Sequence, residues 1–174
     1  MLRLAAALES NGLEVVRFNF PYREKGIRRI DPMPVLKDSF AQISAQARKT
    51  AGKFIIGGRS MGGRVASMLA SAAFPCDGLL LFAYPLHPAG QHEKLRTAHL
   101  PNIRCPVLCF NGTRDPLCDR FLMEGALQDV AAPWNMHWLE GADHSFRVLK
   151  SSGRTEAEID AEVGATAGAW AAKL

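Results

Sequence analysis

The chain has 174 residues, of which 48% are hydrophobic and 22% charged, and its formal net charge is +4. This length predicts a single domain over residues 1–174, and this composition excludes collagen, coiled coils and disordered proteins. No apolar stretch approaches the roughly 20 residues of a membrane span, and no targeting segment is recognisable. We therefore expect a cytoplasmic protein with no membrane partner.

Helical and strand patterns alternate along the chain. In chain order, they predict helix Leu2–Glu9, strand Glu14–Phe18, helix Val35–Lys49, strand Lys53–Ile56, helix Met61–Ala73, strand Leu79–Ala83, helix Glu93–His99, strand Val107–Phe110, helix Phe121–Val130, strand Asn135–Leu139 and helix Glu156–Lys173. Thr155 and Glu158 have the spacing of a capping box at the start of the last helix. The alternation predicts an α/β fold, with a mostly parallel sheet covered by helices on both faces.

Residues Gly58–Gly62 read Gly-x-Ser-x-Gly, with a strand pattern before the motif and a helix pattern after it. Strand, tight turn and helix are the context of a nucleophile elbow, which exposes a serine at the carboxyl end of a strand. We expect Gly58 and Gly62 to be glycines because the turn leaves no room for a Cβ. The motif predicts Ser60 as a nucleophile and the Met61 N–H as an oxyanion donor.

A serine hydroxyl needs a histidine as general base and a carboxylate to orient that histidine. Asp115 follows the strand Val107–Phe110, and His144 follows the strand Asn135–Leu139. The carboxyl ends of parallel strands lie at one edge of a sheet, so Ser60, Asp115 and His144 are expected to meet there. Their chain order is that of an α/β-hydrolase triad.

Other polar residues offer alternatives to these roles. Asp119 is the nearest rival for the acid, and His87 follows a strand, so it either lines a pocket or packs in the core. His92 and His99 have no acidic or thiol partner at ligand spacing, so no metal is expected. The cysteines lack CxxC pairs, which favours free thiols.

Several segments together resemble the dienelactone-hydrolase-like branch of the α/β-hydrolases, and more narrowly its KANL/Tex type of predicted hydrolases. The match runs from about Val15 to the C-terminus. The segments that carry it are Arg17–Tyr22, Gly57–Met68, Tyr84–Pro88, Lys94–Leu100 and Asp143–Phe146. The resemblance implies the same nucleophile, acid and base as the spacing does.

The family also has a strand and a His-Gly-containing loop before the helix that here begins at Leu2, and that loop supplies a second oxyanion donor. The sequence begins after this segment. As the explanation, we expect a start assigned downstream of the true one rather than a truncation or a natural fragment. In the family, that strand lies between those matching Glu14–Phe18 and Lys53–Ile56. We therefore predict that these two strands either pair directly or leave an open slot.

These observations predict a serine hydrolase that cleaves a small ester, thioester or lactone without a cofactor. Tyr22, Tyr84, Leu86 and His87 are expected to bind substrate, because they lie beyond strand ends. A nucleic-acid partner is not expected, since no aromatic residues interleave with the basic cluster in the long loop Pro21–Pro34, a candidate rim or lid. The alternatives are an inactive binding or scaffold protein and an acyltransferase that uses the same triad.

Overall fold

The structure, a computed structural model, describes residues 2–50 and 52–174. Its helices are α1 (Leu2–Glu9), α2 (Pro21–Glu24), α3 (Met33–Ala47), α4 (Met61–Ser71), α5 (Arg120–Ala126) and α6 (Glu156–Ala171), and its strands are β1 (Ile55–Arg59), β2 (Gly78–Phe82), β3 (Val107–Gly112) and β4 (Trp134–Leu139). The strands form one parallel sheet in the order β1-β2-β3-β4. The predicted α/β class is confirmed.

The central strands β2 and β3 are buried along their whole length, and their alternate residues serve two separate cores. Leu79 and Leu81 pack with residues of α3, α4 and α5. Leu80 and Phe82 pack with residues of α1 and α6 on the other face. Because successive side chains of a strand point to opposite faces, a continuous apolar run is what a doubly covered sheet requires.

The segment Glu14–Phe18 forms no strand, so that prediction is wrong. A strand exists through hydrogen bonds to a neighbour. Within the described residues, β1 pairs with β2 on one edge and with no strand on its other edge. Of the two outcomes expected for this region, the structure shows the unpaired one.

The predicted helix Glu93–His99 is also wrong, because the chain there runs in turns that end in a short 3₁₀ helix, Leu100–Asn102. Tertiary hydrogen bonds replace helical ones at Arg96. Its N–H donates to Leu86 O at 2.8 Å, and its carbonyl accepts from the Tyr84 hydroxyl at 2.7 Å. A residue whose backbone is bound in this way has no donor left for a helical partner.

The remaining elements agree with the sequence pattern apart from their ends. The largest difference is at α5, which ends at Ala126, four residues before the predicted end at Val130. Strand β1 continues two glycines and Arg59 beyond its predicted end at Ile56. The capping box of α6 is confirmed, with Thr155 and Glu158 bonding each other's backbone N–H. The long loop Pro21–Pro34 includes the short helix α2. Among the described residues, no helix has the length and apolarity to cross a membrane.

Candidate active site

Ser60 lies at the turn that joins the carboxyl end of β1 to the first residue of α4. Its φ of 52° and ψ of −116° lie outside the regions that L-residues ordinarily adopt. The backbone holds it there, because the Ser60 N–H donates to Phe82 O of β2 at 2.9 Å and its carbonyl accepts from the Arg64 N–H at 3.0 Å. This strained turn presents the Ser60 side chain at the carboxyl edge of the sheet, where it reaches His144, as expected of a nucleophile elbow.

Crowding at the turn explains two of its glycines. A Cβ on Gly58 would lie 2.7 Å from the Gly62 carbonyl carbon, and one on Gly63 would lie 2.7 Å from Gly58 O. A Cβ on Gly62 would meet nothing within 4 Å. The expectation that Gly62 is a glycine for lack of room is therefore wrong, and the crowded partner of Gly58 is Gly63. The backbones of β1 and α4 meet one residue further along the helix than the motif suggests.

The structure brings Ser60, His144 and Asp115 into one hydrogen-bonded chain. His144 Nε2 lies 2.9 Å from Ser60 Oγ, and His144 Nδ1 lies 2.8 Å from Asp115 Oδ2. An ionised carboxylate can only accept, so Nδ1 carries the proton and Nε2 is left to accept from the serine hydroxyl. This is the tautomer that a general base beside a serine needs.

Asp115 is held by burial and by two further contacts, which leave its carboxylate little freedom. Its side chain is fully buried. Oδ1 accepts from the Leu117 N–H at 2.9 Å, and Oδ2 lies 3.4 Å from the Asn111 amide nitrogen. Hydrogen bonds to the ionised form compensate for burial. The carboxylate can therefore orient His144 and stabilise its charged form.

The His144 loop is a tight turn built on Asp143. Asp143 Oδ1 accepts from the N–H groups of Ser145 at 2.7 Å and Arg147 at 3.0 Å, and Phe146 has a positive φ of 60°. The Asp115 loop is joined to it, because the Arg114 N–H donates to Ala142 O at 2.9 Å. The acid and the base are thus carried on one hydrogen-bonded unit.

Arg59, the first variable residue of the motif, connects this unit to the elbow. Its Nη2 donates to His144 O at 2.9 Å and to Ser145 Oγ at 3.1 Å. Burial lowers the pKa of the guanidinium, and the carboxylates of Asp143 and Asp115 oppose that shift. Arg59 therefore fixes the position of the His144 backbone relative to the neighbouring Ser60. Sequence reasoning missed it, although a charged residue beside the nucleophile was a usable signal.

Asn111 is the second site residue that the sequence reasoning missed. It is fully buried near the end of β3, where its side chain accepts from the Tyr84 N–H at 3.1 Å and its amide nitrogen lies 3.2 Å from Tyr84 O. With its contact to Asp115, it connects the ends of β2 and β3. A polar residue at the end of an apolar buried strand needs such partners, and that signal was present in the sequence.

The other proposed acid, Asp119, has a different task. Its carboxylate accepts from the Leu122 N–H at 2.9 Å and caps α5. The Asp119 N–H donates to Nε2 of the buried His87, whose Nδ1 lies 2.9 Å from Pro88 O. Both residues are thereby occupied in fixing the start of α5.

The residues expected to bind substrate are mostly not on the surface. Tyr84, Leu86 and His87 are at most 1% exposed. The Tyr84 hydroxyl donates to Arg96 O, and burial raises the pKa of this phenol. Tyr22 is half-buried, and its N–H donates to Asp31 Oδ2 at 2.9 Å. In this structure, Tyr84, Leu86 and His87 are buried and offer no open surface to a substrate.

Two other features complete the site. As the first residue of α4, Met61 has a backbone N–H without an intrahelical acceptor, beside Ser60 at the positive end of the helix. Ser60 is half-buried, and the His144 side chain keeps 23% of its exposure, so a small molecule can reach both. Within residues 2–50 and 52–174, no three His, Cys, Asp or Glu side chains gather as metal ligands would.

A family model described as an alpha/beta hydrolase domain matches residues 1–172 of the chain. Its span takes in the elbow and the loops that carry Asp115 and His144. The narrower KANL/Tex-type assignment stays a prediction.

Solved structures of hydrolases have a similar fold. An esterase domain from Rhodothermus marinus superposes with a TM-score of 0.69 at 19% identity, covering 98% of this chain and 78% of that one. A serine hydrolase without a lid from Xanthomonas campestris gives 0.72 at 21% identity, covering 97% and 72%. A dienelactone hydrolase from Anabaena variabilis gives 0.69 at 17% identity, covering 96% and 75%. At these identities the likeness is one of fold.

Proposed function

The chain belongs to the α/β hydrolase family, and from that premise we propose that it is a serine hydrolase that cleaves a small carboxylic ester, thioester or lactone. The observation that carries the proposal is the hydrogen-bonded chain from Ser60 Oγ through His144 to Asp115, with separations of 2.9 and 2.8 Å. The solved hydrolases of similar fold support hydrolysis as the reaction class, but they do not identify the substrate of this chain.

In the first half of the reaction, Ser60 Oγ attacks the carbonyl carbon while His144 Nε2 takes the hydroxyl proton. Negative charge develops on the carbonyl oxygen, and the Met61 N–H at the start of α4 donates to it. Asp115 stabilises the positive imidazolium through Nδ1 without taking its proton. The tetrahedral intermediate then expels the alcohol or thiol, which leaves with the proton from His144.

In the second half, His144 takes a proton from water, and the resulting hydroxide attacks the acyl group on Ser60. The carboxylic acid is released, and the serine regains its proton. The half-buried position of Ser60 and the partial exposure of His144 support water access to the acyl-enzyme. That access favours hydrolysis over transfer to another acceptor.

The test is labelling of the purified chain by a fluorophosphonate, with the modified residue identified by mass spectrometry. We expect fast labelling confined to Ser60, none in Ser60→Ala, and normal labelling in Ser71→Ala. Ser71 is the matched control, because it lies on α4 and its hydroxyl bonds Met68 O at 2.9 Å. A folded chain that does not react at Ser60 would overturn the proposal and favour an inactive binding protein.

Turnover is then measured with p-nitrophenyl esters of increasing acyl length. Ser60→Ala is expected to lower kcat by about 10⁴-fold or more, which is typical when a triad nucleophile is removed. Added alcohols distinguish hydrolysis from acyl transfer. An acyltransferase would convert most of the acyl group into a new ester, and a hydrolase would release the acid.

A further inference from the structure

The structure divides the cysteines of the chain into two pairs. Cys109 and Cys118 are buried, at 0% and 4% exposure, and burial raises the pKa of both thiols. Cys76 and Cys105 are half-buried and reach the surface. Since a thiolate that an oxidant can reach is the reactive form of cysteine, the second pair is the reactive one.

Cys76 and Cys105 are far apart in the chain and adjacent in space. They are 29 residues apart, yet Cys76 Sγ donates to Cys105 Sγ at 3.7 Å. Cys76 lies just before β2 and Cys105 just before β3, so both are at the amino edge of the sheet. A disulfide has a sulfur separation of about 2 Å, so the two sulfurs need to approach by a side-chain rotation.

The backbone on both sides of this pair is held by hydrogen bonds. The Leu79 N–H donates to Pro106 O at 2.9 Å, and Asp77 exchanges hydrogen bonds with Phe54 at 2.7 and 2.8 Å. Leu79 and Val107 face each other in the parallel ladder immediately beyond. The ladder therefore fixes the two cysteines next to each other in every folded molecule.

Small molecules can reach both thiols from the surface, and the two thiols differ in how readily they ionise. Both side chains line a surface cavity of about 230 Å³, together with Ala70, Phe74, Asn102 and Arg104. The hydrogen bond from the Cys76 thiol lowers the pKa of Cys105, and the same bond raises the pKa of Cys76. Cys105 is thus the thiol that ionises first, with its partner in contact.

We propose that Cys76 and Cys105 form an oxidisable dithiol site, which small hydroperoxides convert into an intramolecular disulfide. The Cys105 thiolate attacks the outer oxygen of the hydroperoxide, the O–O bond breaks, and the alkoxide takes a proton and leaves as the alcohol. Cys105 is now a sulfenic acid. The Cys76 sulfur loses its proton and attacks the Cys105 sulfur, and the hydroxide leaves as water. Two thiols and one hydroperoxide give one disulfide, one alcohol and one water.

This site is separate from the proposed hydrolase centre. Ser60, Asp115 and His144 lie at or beyond the carboxyl ends of strands, and the dithiol lies at their amino ends. We therefore expect oxidation to leave fluorophosphonate labelling of Ser60 unchanged. The disulfide closes the chain between residues 76 and 105 in the unfolded state. That constraint is expected to raise the Tm by roughly 10 °C, and the rise is reversed by dithiothreitol.

The experiment treats the whole reduced chain with tert-butyl hydroperoxide and maps its peptides by mass spectrometry. The expected product is a cross-linked peptide pair containing Cys76 and Cys105, with Cys109 and Cys118 still reduced. In Cys76→Ser, where the second step is blocked, Cys105 is expected to accumulate as a sulfenic acid that dimedone traps. In Cys105→Ser, dimedone trapping at Cys76 is expected to be at least tenfold lower than the trapping at Cys105 in Cys76→Ser.

Two results would overturn the proposal. One is a folded chain in which Cys76 and Cys105 stay reduced at hydroperoxide concentrations that oxidise free cysteine. The other is a cross-link that appears between chains, or at Cys109 and Cys118, as often as between Cys76 and Cys105. Because the peptide map does not depend on turnover, these outcomes stand whether or not the chain hydrolyses esters.

Discussion

Two segments that look alike in sequence, β3 and the segment Glu14–Phe18, have different structures. β3 is buried along its length, pairs with a strand on each side, and passes into the loop that positions Asp115. The segment Glu14–Phe18 makes no backbone hydrogen bond to any described residue. Its contacts are side-chain ones, with Val15 against one core and Phe18 against the other.

The difference shows that local pattern and pairing are separate conditions for a strand. Alternating β-branched and aromatic residues favour an extended backbone in both segments. A ladder additionally needs a neighbouring strand edge at the right distance. The same condition governs the active site, because the loops after paired strands are the ones that bring the acid and the base together.

The largest effect is expected on kcat, from loss of the Asp115 carboxylate in the loop after the paired strand β3. Asp115→Asn should lower kcat for an ester by about 10⁴-fold, because the amide no longer enforces the His144 tautomer. Asp119→Asn is the matched control, since asparagine caps a helix about as well as aspartate. It should change kcat by less than about fivefold. Steady-state kinetics on both variants checks this, and a greater loss in Asp119→Asn would mean that the acid is misassigned.

The next effect concerns the elbow, where β1 passes into α4. Gly58→Ala should lower the free energy of unfolding by about 3 kcal/mol, because its Cβ would overlap the backbone of Gly62. Gly62→Ala should change it by less than about 1 kcal/mol, since its Cβ enters open space and alanine favours a helix. Urea unfolding measures both variants. Equal losses in the two would contradict the crowding argument.

The comparison of β3 with the unpaired segment can be tested directly by removing the same side chain from each. Val107 on β3 is 0% exposed, and Val16 is 61% exposed. Val107→Ala should lower the free energy of unfolding by about 2 kcal/mol, and Val16→Ala by less than about 0.5 kcal/mol. A loss at Val16 as large as at Val107 would show that the segment is packed like a strand.

The last effect depends on pH and concerns the segment 93–99, which does not form its predicted helix and is held by tertiary hydrogen bonds. Burial and the charge of Arg64 lower the pKa of His99 from 6.5 to about 4. Between these values the unfolded chain binds a proton at His99 and the folded chain does not, so the free energy of unfolding falls as pH decreases. Chemical unfolding from pH 6.5 to 4 should show a shallower fall in His99→Gln. Parallel curves for the two proteins would contradict this role.

Much of the site was predictable because its rules are local. The strand-turn-helix pattern around Ser60 indicates an elbow without any tertiary information. The positions of Asp115 and His144 after strands place them at one edge once the sheet is taken as parallel. Arg59 and Asn111 were not predicted. Their residue types were a signal in the sequence, but the backbone groups that they bond, at His144 and Tyr84, belong to segments distant in the chain.

Sequence by itself determined the α/β class, the order of the four paired strands and the positions at which the proposed nucleophile, acid and base leave the sheet. These follow from periodicity and turn chemistry, which act over a few residues. Tertiary structure alone decided that Glu14–Phe18 stays unpaired, that residues 93–99 are not helical, and that Cys76 and Cys105 meet. Each of these depends on a neighbour distant in the chain, and local residue patterns carry no information about the position of such a neighbour.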